Sequence, residues 1–521
     1  MFSKKKKTFH LDDEILRWTD NDLDTFTLRD AVRGVFVTGA IGSGKSSGIG
    51  DFLAHKYITA GFGGIVLCAK VGEADEWRER AKRAGALDRF VFFSKEEIYR
   101  FNPLMYEMSR TDKGGKSTDS MVELFMRLAR LGSRMRGGSG GSSKDPFWDL
   151  VLERMTKAML DILKLSGEVL TVNNMVKLLR SLLEEGGYDK FEIYCLEKDL
   201  LLENIALYEE QNEALIEEEK LSQSQILEQA EQDIQSPFFK AWDSNYLIAC
   251  LYKIERTHLS KDDALTYDVA KQAFLYDFPD MHDKLQTTIS ETFYGFANPF
   301  RSGLPAKYMG ASFLSPEVMP ERTFEGKIIV LDFATHLYGV LGSFIQVAYK
   351  KIWQDAVQRR KVTSETVPVF QFMDECQFFL DDGDMLFATT ARSSKAGMVC
   401  LTQNLSNLYA TIGNNNKVHS LLGNLTTKCF HNNDSSVNNE WASATISNTK
   451  KTKSLGSMHG VNMASVNESY ERQVQSYEFL SLKNGGKMNE FLVEGYITRI
   501  GRAFSTGSNF MKVRFKQRPK S

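Results

Sequence analysis

"VFVTGAIGSGKSSG", residues 35–48, is the strongest structural signal in this 521-residue chain. A short apolar run leads into glycines around one lysine, and apolar residues at helical spacing follow. The segment from Gly39 to Ser46 matches the pattern G-x-x-x-x-G-K-[ST], in which backbone N–H groups and the lysine face phosphates and the last hydroxyl ligates Mg²⁺. The strand-to-helix context favours this interpretation over a plain glycine turn. We predict a phosphate-binding loop with Ser46 as a metal ligand and with nucleotide contacts from Gly39, Gly42, Ser43, Gly44, Lys45, Ser46 and Ser47.

Strand-like and helix-like segments alternate on either side of this loop. "GGIVLCAK" and "RFVFFS" follow it as strands, and "GKIIVLDF" and "PVFQFMDE" resume the alternation late in the chain. Residues 116–285 instead show helical patterns with almost no strand signal. Such alternation is typical of α/β folds with a parallel sheet. We therefore predict a nucleotide-binding domain formed by residues 1–115 and 286–521, interrupted by a large all-α insertion domain at residues 116–285.

Two polar segments near the C-terminus are expected to lie outside the sheet. Residues 448–469, "NTKKTKSLGSMHGVNMASVNES", have the composition of a long surface loop. Residues 512–521, "KVRFKQRPKS", have that of a polar C-terminal tail. Both predictions rest on polar composition and on the lack of an apolar run.

The composition excludes several classes of protein. The chain is 42% hydrophobic and 25% charged, as soluble globular proteins are. Its formal net charge of −2 excludes a wholesale basic surface but not a basic channel for nucleic acid. The cysteines lack metal-ligand spacing, so we expect reduced, buried thiols in a cytoplasmic protein and no structural zinc. The basic N-terminus has no apolar segment behind it, so we expect no secretory signal, and the longest apolar stretch, residues 327–351, carries polar residues that argue against a membrane span.

A pair of acidic residues follows an apolar run far downstream of the loop. "VPVFQFMDECQ" places Asp374 and Glu375 after a predicted strand. A phosphate-binding loop needs such a partner at the end of a neighbouring strand. We predict that Asp374 orients Mg²⁺ through water and that Glu375 is the general base, in preference to an ordinary surface turn. Gln371 is a departure, because it is a polar residue inside a strand that should be buried on both faces.

Two further positions are candidates for catalysis. Gln403 follows the next predicted strand, and "TTARSSKAG" places Arg392 and Lys395 before it. Judged from the residues alone, a surface or strand-end role is as plausible for each as a catalytic one. No Asn-Lys-x-Asp element for guanine is present, which favours ATP over GTP. The long separation between loop and acidic pair favours a motor-type ATPase over a small-molecule kinase.

The series of motifs resembles a known family. "GAIGSGKS", "FNPL" at residues 101–104, "DPFWDLVLERM", "FMDECQ", "ARSSKAGMVCLTQN" and the late "NNEWAS…FLSLKNGG" are similar in order and spacing to the conjugative type IV secretion coupling proteins of the TraD/TraG kind, within the FtsK/HerA group of DNA-pumping ATPases. The resemblance implies a RecA-like domain interrupted by an all-α domain, a ring that is commonly hexameric, and ATP-driven DNA transport through its channel. It also implies that Arg392 is an arginine finger acting on the neighbouring subunit and that Gln403 senses the γ-phosphate.

Membrane attachment and cargo are where the resemblance leaves alternatives. Members of the family usually begin with a pair of transmembrane helices, whereas this sequence starts almost directly at the ATPase domain. We therefore expect a cytoplasmic protein, peripheral at the inner membrane only through a separate membrane anchor or the type IV secretion channel. The leading hypothesis is a translocase that receives DNA with relaxase or relaxosome proteins. The alternatives are a cytosolic HerA-like translocase in repair or defence, and an ATP-gated cargo recruiter that does not translocate.

A basic helix lies at the start of the predicted insertion. Arg127, Arg130, Arg134 and Arg136 precede a glycine-serine segment and are a candidate contact for DNA or cargo. The alternative is a solvated helical face beside a flexible loop.

Overall fold

A computed structural model of the chain describes residues 7–112, 115–135, 146–183, 187–213, 216, 222–454 and 466–518. The chain divides into two compact units, one from residues 1–99 with 315–521 and the other from residues 100–314. The first is an α/β unit, and the described residues of the second form helices.

The helical unit is wider than the expected residues 116–285. The helix Pro103–Ser109 contacts the helix Thr118–Met135, and the helix Asp283–Arg301 contacts the helix Val172–Arg180. These flanking helices bury their apolar faces inside the unit, so they belong to it although they lie next to α/β sequence.

The strands define the α/β unit. Those of one large sheet follow the order β13-β12-β9-β3-β8-β7-β4-β6-β5, while the pairs β1–β2 and β10–β11 form separate antiparallel sheets. In chain order the strands are β1 Glu14–Arg17, β2 Thr25–Thr27, β3 Val35–Thr38, β4 Gly63–Leu67, β5 Phe90–Ser94, β6 Ile328–Asp332, β7 Val369–Met373, β8 Ala396–Thr402, β9 Thr427–His431, β10 Asn448–Ser454, β11 Val466–Arg472, β12 Leu492–Thr498 and β13 Phe510–Lys516.

The parallel part of the large sheet positions the functional site. All strands from β9 to β5 in the sheet order run parallel, whereas β12 pairs antiparallel with β9 and β13 pairs antiparallel with β12. β3 lies between β8 and β9, with Val37 aligned with Leu401 and Cys429. Because the carboxyl ends of parallel strands meet at one edge, the segments that follow β3, β4, β7 and β8 converge there.

Helices cover both faces of this sheet. Trp77 packs against Phe370 and Phe372 on one face, and on the other the buried Gln371 pairs with a helix residue, Gln354. Burial on both faces explains why these strands are continuous apolar runs. The α-helices of this unit are Leu28–Ala31, Asp51–Ala60, Glu73–Arg83, Thr335–Arg359, Asp382–Thr390, Leu405–Ile412, Asn415–Asn424 and Ser436–Ile446.

The helical unit has a core of its own. Phe125 stacks on Phe293 with ring centroids 5.5 Å apart, and Met155 and Met159 are fully buried on one face of their helix. The described residues of 100–314 contain no strand. The α-helices of this unit are Pro103–Ser109, Thr118–Met135, Pro146–Leu165, Val172–Arg180, Tyr188–Gln211, Gln223–Ala230, Phe239–Asp243, Tyr246–Glu255, Lys261–Gln272, Asp283–Arg301 and Gly303–Met309.

The two segments that were expected to be loop and tail contain strands. β10 and β11 pair antiparallel from Asn448↔Arg472 to Ser454↔Val466. Their residues are almost all polar, so the sequence shows no alternation of apolar and polar residues from which these strands could be predicted. β13 covers much of the expected C-terminal tail and pairs with β12. Its alternate residues Met511, Val513 and Phe515 are buried, a period-2 pattern that the lysines and arginines between them obscured.

Other expectations from composition concern the cysteines and a membrane span. All six cysteines are free and buried, as predicted. In the part of the chain that the structure describes, no helix combines the length and apolar character needed to cross a bilayer.

The basic helix at the start of the insertion is described only in part. Arg127 lies half-buried in the helix Thr118–Met135, and its Nη1 is buried with no hydrogen-bond partner among the described residues. The side chains of Arg130 and Arg134, and the whole of Arg136, lie outside the described residues.

Candidate nucleotide-binding site

The loop after β3 has a backbone that requires glycine. Gly42 and Gly44 have φ values of 75° and 84°, in the left-handed region that favours glycine. A Cβ on Gly44 would lie 2.4 Å from Cγ2 of Val493, and one on Gly39 would lie 2.3 Å from Oγ of Ser43. The loop thus leaves no room for a side chain at Gly39 or Gly44. It leads directly into the helical turn Ser46–Gly50 and the helix Asp51–Ala60, whose N-terminus attracts anions.

Ser43 gives independent support for an anion in this loop. Its Oγ is buried and has no hydrogen-bond partner in the described residues. Buried polar atoms are nearly always paired. A phosphate oxygen would accept a hydrogen bond from this hydroxyl, so the orphaned atom fits a nucleotide phosphate.

A cavity of about 810 Å³ opens in front of the loop. This volume is typical of small-molecule sites. Five chain segments line it: the loop itself, residues 70–76 after β4, His336 after β6, residues 374–378 after β7 and residues 403–411 after β8. The strand ends predicted to converge therefore form one cavity.

Asp374 lies next to the helix start, as a metal site requires. Its Oδ2 accepts a hydrogen bond from Oγ of Ser46 at 2.7 Å and one from Nζ of Lys70 at 3.1 Å. A hydroxyl and a carboxylate are the oxygen donors that Mg²⁺ prefers. Ser46 and Asp374 are thus the residues that would hold Mg²⁺.

Glu375 is a buried carboxylate among cations and amides. Its Oε1 lies 3.6 Å from Nζ of Lys45 and 3.2 Å from Nζ of Lys70. Gln377 donates to Oε2 at 3.0 Å, and Nε2 of Gln403 lies 3.4 Å from both oxygens. Burial would raise the pKa of Glu375, but Lys45, Gln377 and Lys70 outweigh it and hold the pKa below its usual value. The carboxylate is therefore ionised at neutral pH and able to accept a proton.

Sequence reasoning missed several residues of the cavity, among them Gln377, Lys70 and Glu73. Lys70 and Glu73 follow β4, and Oε2 of Glu73 accepts hydrogen bonds from the backbone N–H groups of Ala69 and Lys70 at 2.9 and 3.3 Å. Burial and the nearby Asp374 raise the pKa of Glu73 to about 8. The signal was available, because "CAKVGE" follows a buried strand as "FMDE" does, and parallel strand ends share an edge.

The structure brings most predicted site residues together. Gly42 to Ser47, Asp374, Glu375 and Gln403 line the cavity, whereas Gly39 is not among its lining residues. Arg392 does not join them. It is exposed in the turn that precedes β8, at the edge of the sheet opposite the phosphate-binding loop. Lys395, in the same turn, is buried and donates to backbone oxygens of Phe9 and Thr363 at 2.7 and 2.8 Å, which is a structural role.

Comparison with known proteins gives the fold. No family model and no curated protein matches the sequence. Among solved structures, the bacterial conjugative coupling protein TrwBdeltaN70 in its unbound form is similar over 98% of this chain and 92% of its own, with 12% identity and a TM-score of 0.54. The coupling protein TrwB with a non-hydrolysable ATP analogue matches 99% of this chain and 96% of its own, with 11% identity and a TM-score of 0.51.

These matches extend over nearly the whole chain. They confirm the predicted fold class, an α/β domain interrupted by a large helical insertion. At this level of identity the likeness is one of fold, so activity and partners have to be argued from the site.

Proposed function

We propose that this protein is a Mg²⁺-dependent ATPase of the P-loop motor class. The observation that carries the proposal is the convergence of Ser46, Asp374 and Glu375 in front of the phosphate-binding loop. In the proposed reaction Lys45 faces the β- and γ-phosphates, and Glu375 accepts the proton of the attacking water. Mg²⁺, held by Ser46 and Asp374, would neutralise charge on the phosphates.

Gln403 lies beside the proposed base Glu375. It follows β8, and its amide reaches both oxygens of Glu375 at 3.4 Å. Its backbone oxygen accepts a hydrogen bond from Nδ2 of Asn433 at 2.8 Å, which fixes the segment. We propose that Gln403 aligns the attacking water with Glu375.

We propose further that ATP hydrolysis drives DNA transport in conjugation. The similar solved proteins are described as a conjugative coupling protein and as a plasmid coupling protein in complex with ADP and Mg²⁺. The likeness covers both units of this chain, which supports the whole-chain function over that of a nucleotide-binding domain alone. The partners of the proposal are DNA, relaxase or relaxosome proteins, and a type IV secretion channel or separate membrane anchor. We propose that the subunits form a cytoplasmic ring, expected to be hexameric, which lies at the inner membrane and performs the transport.

The position of Arg392 supports assembly into a ring. Its side chain is exposed at the sheet edge opposite its own cavity, so we propose that it acts at the site of another subunit. An arginine that stabilises the transferred phosphoryl group from a neighbour would have this position.

The rate of ATP hydrolysis with and without DNA tests the proposed function. We expect purified protein to hydrolyse ATP and to do so faster with single- or double-stranded DNA, while the Glu375→Gln variant stays inactive. ATP binding with a rate that DNA does not change would favour the cargo recruiter. DNA stimulation without conjugative transfer in cells would favour the repair or defence translocase. Failure to bind ATP would refute all three.

A further inference from the structure

Two lysines converge on the acidic pair, and the proposed reaction uses only one of them. Nζ of Lys70 lies 3.1 Å from Oδ2 of Asp374 and 3.2 Å from Oε1 of Glu375. Nζ of Lys45 lies 3.6 Å from the same Oε1. The Lys45 side chain is 6% exposed, whereas that of Lys70 is 39% exposed. Lys45 is therefore fixed by its surroundings, while the tip of Lys70 has room to move.

Lys70 uses the oxygen that the metal site needs. Oδ2 of Asp374 accepts hydrogen bonds both from Ser46 and from Lys70. A divalent cation held by Ser46 and Asp374 would replace the Lys70 contact, because two cations at one oxygen repel each other. Binding of Mg²⁺ would therefore release the Lys70 ammonium from Asp374.

The backbone of Lys70 stays fixed during such a change. Glu73 accepts hydrogen bonds from the N–H groups of Ala69 and Lys70, so the main chain after β4 is held in place. The Lys70 stem is flexible, as lysine stems are.

We propose that Lys70 moves from the acidic pair to the terminal phosphate of bound ATP and lets the site distinguish ATP from ADP. The proposal rests on the proposed function and adds a phosphate contact from the subunit's own chain. Lys70 lines the same cavity as the loop, and the γ-phosphate is the anion that ATP adds there. Departure of Lys70 also leaves Glu375 free to act on water. With ADP bound, Lys70 stays on Glu375.

A static counter-ion is the alternative role, and nucleotide selectivity separates the two. In the full-length chain with excess Mg²⁺, calorimetry would measure the affinities of a non-hydrolysable ATP analogue and of ADP. We expect the Lys70→Met substitution to weaken binding of the ATP analogue about tenfold or more, because the variant loses a charged hydrogen bond to the γ-phosphate. The affinity for ADP should change little. Lys70→Arg should retain most of the selectivity. Lys82→Met, which removes an exposed lysine of the same unit, is the matched control.

The outcomes are separable. Equal effects on analogue and ADP, or no effect on either, would overturn the Lys70 proposal and leave the ATPase proposal standing. A wild-type protein that binds neither nucleotide would refute both.

The unmodified protein provides a second measurement if Lys70→Met does not fold. Amine-reactive labelling of Lys70, read by mass spectrometry, should be slower with the ATP analogue than with ADP. Equal labelling in the two complexes would contradict the proposal.

Discussion

Glu375 combines burial, a left-handed backbone and a lowered pKa in one residue. Its φ of 55° is unfavourable for any residue other than glycine, and such a backbone conformation destabilises the folded state by about 1–3 kcal/mol. The conformation places the carboxylate against Lys45 and within reach of Gln403. The fold thus retains strain at the position where we propose that the proton is accepted.

A comparison of the Glu375→Gln and Lys45→Ala variants tests whether Glu375 is the general base. We expect Glu375→Gln to bind ATP normally but to lose turnover by about 10²–10⁴-fold, because the amide cannot accept a proton. Lys45→Ala should lose both binding and turnover, because the charge that faces the phosphates is gone. Nucleotide binding and phosphate release are the two measurements. Normal turnover by Glu375→Gln would show that another group is the base.

His431 makes a second residue-scale prediction, which concerns pH. It is buried in β9 beside Gly39, and its Nδ1 pairs with the backbone oxygen of Glu494 at 2.8 Å. Burial, together with the charge of Lys45, lowers the pKa of His431 to about 4, against 6.5 in an unfolded chain. The folded state therefore binds fewer protons, so stability is lost as pH falls from about 6.5 towards 4, by up to about 3 kcal/mol.

Urea unfolding at pH 7.5 and pH 5 checks the His431 prediction. The wild-type α/β unit should unfold at lower urea at pH 5, and the His431→Gln variant, which cannot titrate, should show a smaller difference. The same pH dependence in both proteins would assign the effect to other groups.

At the scale of elements, a buried polar network connects β7 to two helices. Lys350, from the helix Thr335–Arg359, pairs with Asp384 and donates to the Phe379 oxygen at 2.6 Å. Gln354 donates to Gln371 at 2.9 Å and to Asp384 at 2.7 Å. β7, the strand that precedes Asp374 and Glu375, is therefore connected by these hydrogen bonds to the helix Asp382–Thr390, which precedes Arg392. This network also explains the polar Gln371 inside a buried strand.

Removing only the charge of Lys350 should destabilise the α/β unit more than removing the charges of Lys350 and Asp384 together. Lys350→Met leaves Asp384 buried without its cation, and we expect a loss of about 3–5 kcal/mol in the stability of the α/β unit. Lys350→Met with Asp384→Leu removes both charges and should recover much of that loss. Calorimetric unfolding of the single and double variants makes the comparison. Equal destabilisation by the single and double variants would show that Lys350 and Asp384 are not coupled.

Most features formed by residues contiguous in sequence could be predicted, whereas most features that depend on contacts between distant parts of the chain could not. The phosphate-binding loop is contiguous, so its glycines, lysine and serine could be recognised directly. Asp374 and Glu375 could be assigned because the strand-end rule requires an acidic partner for the loop. Lys70 was missed because a charged residue after a strand is common, and its contacts lie about 300 residues away in sequence. β13 was missed because its exposed cations concealed alternating apolar residues.

At the scale of the whole molecule, the position of Arg392 bears on the proposal that active sites are shared between subunits. The turn that carries it precedes β8, where Ala396 pairs with Val369 at the amino end of β7. The phosphate-binding loop follows the other end of the parallel strands. A subunit therefore presents its cavity at one edge of the sheet and its arginine at the opposite edge. Head-to-tail contacts between subunits would bring the two together, as a closed ring requires.

Mixed assembly tests whether Arg392 acts on a neighbour. A Lys45→Ala subunit keeps its arginine, and an Arg392→Ala subunit keeps its cavity intact, so each supplies what the other lacks. We expect each variant alone to be nearly inactive, since such arginines contribute about 10³–10⁵ in rate, and co-assembled rings to regain part of the ATPase activity. Arg359→Ala, which changes a different arginine of the same unit, is the control for the loss of charge. If rings verified to contain both variants stay inactive at every ratio, Arg392 acts within its own subunit or not at all, and the proposed ring mechanism loses its main structural support.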